Sequence, residues 1–182
     1  QLAYATQRMQ DAGLAHMADL KLCDYRDSDA QYDAIASIEM FEAVGEAYWP
    51  SYFDCIARNL KKGGRACVQT IVIADELFER YRKGTDFIQQ YVFPGGLLPS
   101  PQVFTRMAGQ SGLVVTREFA FGIDYADTLA AWRGAFHANL DAVRAQGFDE
   151  RFIRTWEFYL CYCEAAFRAR SINVMHFTLE KA

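Results

Sequence analysis

The sequence predicts an α/β domain built on a largely parallel sheet with helices on both faces. Three observations carry that prediction. Short apolar runs bounded by turn residues, at 32–38 and 65–73, read as fully buried parallel strands. Between them, 46–60 keeps Tyr48, Tyr52, Phe53, Ile56 and Leu60 at helical spacing. The order helix, strand, loop, strand, helix, strand over the first 73 residues is the alternation that parallel neighbours need for their crossovers. A length of 182 residues suits one domain over 1–182, and a chain 52% hydrophobic and 15% aromatic can bury a sizeable core.

Each element follows from local chemistry. Leu2, Ala5, Met9 and Ala12 mark a helix that Gly13 ends. Leu20–Cys23 is a short strand candidate, followed by the polar loop 24–29. Tyr32–Ile38 is the next strand. Lys61-Lys62-Gly63-Gly64 stops the helix over 46–60, and Arg65–Ile73 is another buried strand. Residues 75–91 are helical with an interruption at Gly84, and two Pro with a Gly pair force a loop at 93–100. A short helix over 101–111 precedes a strand at 112–121. Two long helices, 125–146 and 149–169, are divided by Gly147, and Ile172–Leu179 alternates as a closing strand.

Composition excludes several functions. A net charge of -4 argues against a nucleic-acid binder, which carries a basic patch. No apolar run approaches the roughly 18 residues that span a bilayer. Five cysteines, none at metal-ligand spacing, read as reduced thiols in a cytosolic protein, and the three histidines sit in no ligand motif. The chain opens inside a helix at Gln1 with no initiator methionine, which reads as a piece cut from a longer protein.

Ligands of such sheets sit at the carboxyl ends of the strands, so the loops 24–29, 37–45 and 69–75 are expected to share one crevice. Glu39 and Glu42, three apart, close the apolar run IASIEMFEAVG. Carboxylates there start a helix and favour its dipole, or they do chemistry. Asp24-Tyr25-Arg26 is a solvated loop or a purine pocket with a stacking ring. Gln69, on a strand read as buried, is a structural hydrogen-bond hub or a ligand contact. Tyr125 opens a helix, where a tyrosine usually packs with its hydroxyl satisfied.

Six segments stand in order along the chain: CDYRD at 23–27, YDAIASIEMFEAVGEAYWPSYF at 32–53, LKKGG at 60–64, TDFIQQYVFPGGLLPS at 85–100, FGIDYADTLAAW at 121–132 and ERFIRTWEFYLCYCEAAFRARSINVMHFTLEK at 150–181. Together they closely resemble the cyclopropane-fatty-acyl-phospholipid synthases, which are S-adenosylmethionine-dependent methyltransferases. The resemblance implies a Rossmann-like class I methyltransferase sheet of strand order 3-2-1-4-5-7-6, with a long helical pair inserted before the last strand. It also implies methyl transfer to a cis double bond in an acyl chain, followed by proton loss and closure of a cyclopropane ring. A bound bicarbonate ion is the family's base. By resemblance its holding groups fall on Glu42, Tyr125, the backbone of Ile71 and Gln69, whereas Glu39 caps the helix or steadies the loop. The cofactor positions fall on Gln1 at the ribose and methionine, on Asp24, Tyr25 and Arg26 at the adenine, and on Ser37 and Ile38 near the sulfonium.

Two departures qualify the implication. The family usually has His where Gln69 stands, which bears on bicarbonate geometry and on the product. The glycine-rich cofactor loop and the first two strands lie upstream in the family, so the sheet here lacks them. Strand 20–23 then has no neighbour and strand 32–38 presents an open edge. The 182 residues alone are expected to bind the cofactor poorly and to aggregate. The implied partner is an unsaturated phospholipid met peripherally at the inner face of the membrane by a cytoplasmic protein, through the aromatic loop 91–98. A homodimer is left open. The rival readings are methylation of another lipid or small acceptor, and a non-catalytic lipid-binding module.

Overall fold

The computed structural model describes residues 1–181. Four strands, β1 (Tyr32–Ile38), β2 (Leu60–Ile73), β3 (Leu113–Ala120) and β4 (Ile172–Lys181), form one sheet of order β1-β2-β4-β3. This order reproduces the 4-5-7-6 half of the expected sheet. β1 and β2 are parallel, whereas β4 is antiparallel to both β2 and β3. The described sheet is therefore mixed.

The helices are α1 (Leu2–Asp11), α2 (Trp49–Asn59), α3 (Asp75–Arg82), α4 (Phe87–Tyr91), α5 (Pro101–Gln110), α6 (Gly122–Ala138), α7 (Leu140–Ala145) and α8 (Glu150–Arg168). Strand alternation sorts the core into two layers. On one face Ala66, Val68 and Val72 of β2 and Met175, Phe177 and Leu179 of β4 pack against Phe53 and Ile56 of α2 and Phe104 and Ala108 of α5. Phe104 is fully buried and stacks on Phe177 with ring centroids 4.1 Å apart. On the other face Ile71 and Val174 meet Ala126 and Leu129 of α6 and Leu160 and Phe167 of α8. The expected inserted pair is thus the layer that covers this second face.

Three sequence expectations are corrected. Leu20–Cys23 forms no strand, and Leu22 stays 93% exposed. A strand needs a hydrogen-bonded neighbour, and none is there among the described residues. β1 is not the fully buried strand that its apolar run suggests but the open edge that the resemblance implies: it pairs only with β2, and Tyr32 and Ile38 are exposed. The helix expected over 125–146 breaks at Asn139, whose side-chain amide donates to the Ala135 carbonyl at 2.8 Å and competes with the helical backbone.

The start of α6 depends on a close approach. A Cβ on Gly122 would lie 2.5 Å from Asn173 Oδ1, and Asn173 Oδ1 accepts the Gly122 N–H at 2.7 Å. Glycine lets the helix begin against β4, which fixes the height of Tyr125 one turn later.

Candidate active site

The site begins where β1 ends. After Ile38 the chain must turn at once, and Glu39 takes φ of 50°, a left-handed conformation that costs a side-chain-bearing residue about 1–3 kcal/mol. Its N–H donates to the Gln69 carbonyl at 2.9 Å, which extends the β1–β2 ladder by one rung. Gln69 Nε2 donates to Glu39 Oε1, also at 2.9 Å. Glu39 therefore caps no helix; its carboxylate is pinned beside β2.

Glu42 follows in the 3₁₀ turn Phe41–Ala43, beside the buried Phe41. Its Oε1 accepts the Ile71 N–H at 2.6 Å, while the buried Oε2 has no partner among the described residues. Burial pushes the carboxyl above its ordinary range; the Ile71 amide opposes the shift, and the nearby Glu39 charge adds to it.

The helical layer supplies the facing wall. Tyr125 packs on Phe167 at 5.1 Å and edge-on to Trp132 at 6.1 Å. Burial and then the Glu39 carboxylate hold its phenol proton well above the usual range. Burial likewise pushes the Tyr159 phenol up to about 12, and Tyr159 lies within 6.2 Å of Phe93 and 4.9 Å of Trp156 by ring centroids. Phenols and aromatic faces of the helical layer thus flank the exposed Glu39 on one side, with the half-buried Glu42 behind it.

Gln69, Ile71, Glu42 and Tyr125 are all placed at this point of the fold. Tyr125 lies beside Glu39, and the Ile71 N–H is taken by Glu42. Sequence reasoning missed His176. It lies directly across from Gln69 in the β2–β4 register, and its Nε2 is 2.7 Å from Gln69 Oε1. The only available signal was the alternation of 172–179, which puts 174 and 176 on one face.

The cofactor positions gather beside this site, with one exception. Tyr25, Arg26, Met40, Ala43, Val44 and Tyr48 line a hollow of about 360 Å³. A second hollow of about 270 Å³ lies along Ser37, Ile38, Tyr52 and Ile56 and shares Tyr25 and Met40 with the first. Tyr25 meets Tyr52 edge-on at 5.8 Å, and the Tyr52 hydroxyl donates to Ser37 Oγ at 2.8 Å. Asp24 is committed within its own loop: it caps the 3₁₀ turn Tyr25–Asp27 through the Arg26 N–H and pairs with the Arg26 guanidinium at 2.7 Å, which lowers its carboxyl to about 2. Asn59 anchors the loop, accepting from the Ala30 N–H at 2.8 Å and donating to the Ser28 carbonyl at 3.0 Å. Gln1 is the exception: it is exposed at the start of α1, a helix that buries none of its residues.

The described residues contain no cluster of His, Cys, Asp or Glu suited to a metal ion, and the five cysteines are free. No helix among them is long and apolar enough to cross a membrane.

Comparisons with known proteins agree with the fold. The mycolic acid cyclopropane synthetase family matches residues 1–177. The tuberculostearic acid methyltransferase of Mycobacterium tuberculosis is 42% identical over 176 residues, covering 96% of this chain and 41% of that protein. The cyclopropane-fatty-acyl-phospholipid synthase of Escherichia coli is 37% identical over 158 residues, covering 84% and 38%. The chain thus spans about four tenths of the length of these curated relatives. Among solved structures, a mycolic acid cyclopropane synthase complexed with SAH and CTAB superposes with a TM-score of 0.80 at 28% identity, over 97% of this chain and 67% of that one. With the half-sheet order, the inserted helical pair and a match over 177 residues, the chain belongs to the mycolic acid cyclopropane synthetase family.

Proposed function

We propose that the full-length protein methylates the cis double bond of an unsaturated phospholipid acyl chain, with the Glu39 carboxylate as proton acceptor. S-adenosylmethionine, when bound, supplies an electrophilic methyl group. The adjoining hollows fit it: Tyr25 offers a ring face for a purine, and Ser37 and Ile38 stand between that ring and the carboxylates. As the methyl carbon bonds to one alkene carbon, the neighbouring carbon becomes cationic. The faces of Tyr125, Tyr159 and Trp156 stabilise that charge and keep water away. The proton then passes to a carboxylate oxygen, and its bonding electrons close a ring or form a double bond.

The observation that carries the assignment is the Gln69–Glu39 hydrogen bond. Bicarbonate, the base that the resemblance implies, finds most of its expected holding groups engaged, with Glu42 Oε2 left unpartnered among the described residues. Of its expected holding groups, the Ile71 N–H is taken by Glu42, the Gln69 amide by Glu39, and Tyr125 faces Glu39. A carboxylate of the chain already stands among the groups that would hold the ion.

The test is a turnover assay on the full-length protein with labelled S-adenosylmethionine and vesicles of unsaturated phospholipid. The wild type should be indifferent to bicarbonate depletion. Glu39→Gly should lose about a hundredfold or more in kcat and regain part of it with added bicarbonate or formate. A wild type that stops without bicarbonate, or a Glu39→Gly variant at full rate, overturns the assignment.

A second reading concerns the product. Gln69 departs from the residue that the resemblance leads one to expect, and the 42% identical relative is named a tuberculostearic acid methyltransferase rather than a cyclopropane synthase. A branched or unsaturated methyl product in the same assay supports it; a cyclopropane ring rules it out. No turnover in either form supports a non-catalytic lipid binder.

Access by the acyl chain fits an exposed aromatic cluster on the same side. Tyr91 and Phe93 are 63% and 56% exposed, and Phe87 meets Phe158 edge-on at 4.6 Å. This surface supports peripheral docking on a lipid bilayer.

A further inference from the structure

The residue that remains unexplained by the reaction is His176. Gln69 and His176 are Cα partners in the antiparallel β2–β4 ladder, on the face covered by α6 and α8. Gln69 uses both ends of its amide. One end is 2.9 Å from Glu39 Oε1 and the other is 2.7 Å from His176 Nε2.

The chemistry of the groups fixes the direction of this chain of bonds. An ionised carboxylate only accepts hydrogen bonds, so the NH₂ end of Gln69 must face Glu39. The carbonyl end then faces the imidazole, and a carbonyl also only accepts. His176 Nε2 must therefore carry a proton and donate it. An unrestrained amide at position 69 would rotate and at times turn its carbonyl toward the carboxylate, with two acceptors opposed. An imidazole protonated at Nε2 opposes that alternative, because it demands the amide carbonyl as its acceptor. Its own ring is held by Phe121, edge-on at 4.9 Å, and by Phe119 at 6.0 Å.

We propose that His176 is a positioning residue for the reaction: through Gln69 it fixes the orientation of the Glu39 carboxylate that accepts the proton. This rests on the reading of Glu39 as the proton acceptor. Glu39 sits in a strained backbone conformation just past the end of the edge strand β1, where it is exposed and Gln69 supplies its side-chain hydrogen bond. Misplacing a proton acceptor slows the proton-transfer step and leaves substrate binding as it was.

The experiment uses the full-length protein and four variants: His176→Phe, His176→Gln, Glu39→Gln and the double variant His176→Phe/Glu39→Gln. His176→Phe keeps the ring and removes the donor. It should lower kcat by about tenfold, the rate equivalent of one lost hydrogen bond, with KM for cofactor and lipid unchanged. His176→Gln can still donate from its NH₂ and should recover most of that loss. In the Glu39→Gln background His176→Phe should cost nothing further, because its effect passes through Glu39. A full-rate His176→Phe beside a strongly impaired Glu39→Gln overturns this inference and leaves the proton acceptor standing. A full-rate Glu39→Gln overturns both. One measurement needs no variant and survives any folding failure: nitrogen NMR of the wild-type imidazole should show a protonated Nε2 at His176. A neutral ring with its proton on Nδ1 alone overturns the proposal.

Discussion

The cofactor side of the site hangs on one buried amide, and its removal gives a quantitative prediction. Asn59 closes α2 and is buried. Its Nδ2 donates to the Cys55 carbonyl at 2.9 Å and to the Ser28 carbonyl at 3.0 Å, and its Oδ1 accepts the Ala30 N–H at 2.8 Å. Two of these three bonds tie the loop carrying Tyr25 to α2; the third ties the side chain to its own helix. Asn59→Ala removes all three. A neutral hydrogen bond contributes about 1 kcal/mol net, and the exposed Ala30 N–H recovers water when released, so the expected loss is about 2–3 kcal/mol. Urea unfolding of the full-length protein should show this as a lower midpoint at unchanged slope. Amide hydrogen exchange over 24–31 should speed up while the β2–β4 ladder stays protected. S-adenosylmethionine should bind about tenfold more weakly, because the Tyr25 face is no longer held over its hollow. A variant within about 0.5 kcal/mol of wild type, or one whose 24–31 exchange is unchanged, refutes the reasoning that this amide anchors the loop.

Other substitutions test the remaining parts of the structure. Phe104→Ala should cost about 3–5 kcal/mol by calorimetry or urea unfolding, since the ring is fully buried against Phe41, Phe53 and Phe177. Gly122→Ala should cost about 1–3 kcal/mol and lower turnover, because the new Cβ meets Asn173 and pushes the start of α6, and Tyr125 with it, off β4; a wild-type melting temperature would contradict this. Tyr91→Ser with Phe93→Ser should weaken vesicle binding in a flotation assay while turnover of a micellar substrate persists, and unaltered flotation would remove this surface from the docking face.

The half-sheet was legible because it is written in local patterns. The run that became β1 matches the observed strand, the run at 65–73 ends where β2 ends although β2 starts earlier, at Leu60, and Gly84, Gly147 and the 93–100 loop punctuate the chain as expected. What failed was whatever depends on a neighbour. Leu20–Cys23 has strand-like residues, but its ladder partner is not among the described residues. β1 reads as buried because Ala34, Ile35 and Ala36 are apolar, yet burial of a strand is conferred by what flanks it. The same holds in the site. Glu39 gave no sign of a left-handed backbone, because glycine is the residue that announces one. His176 was invisible until the β2–β4 register set it against Gln69, 107 residues away.

The two carboxylates of IASIEMFEAVG differ by environment, and that difference is itself testable through pH. Glu42 is half-buried with its Oε2 enclosed, and its carboxyl is raised above the ordinary 4.5, so it keeps its proton to higher pH than Glu42 of the unfolded chain. The native state then binds more protons than the unfolded one, and stability falls as pH rises. Glu42 contributes fully below about 4.5, and the contribution is lost as pH climbs through the raised native value. Glu42→Gln keeps an acceptor for the Ile71 N–H and has no charge to bury. It should therefore gain stability relative to wild type as pH rises from 4 to 8, read as a growing gap between urea midpoints. A gap that is constant or shrinks with pH would place the charge of Glu42 in solvent or on a partner. The upward shift of the Glu42 carboxyl also bears on how two carboxylates share one corner. Its proton is held more readily than an exposed glutamate's, which eases repulsion of Glu39, and its Oε1 holds the end of β2 through the Ile71 amide. Glu39 is left, bonded to Gln69, as the carboxylate free to take a proton.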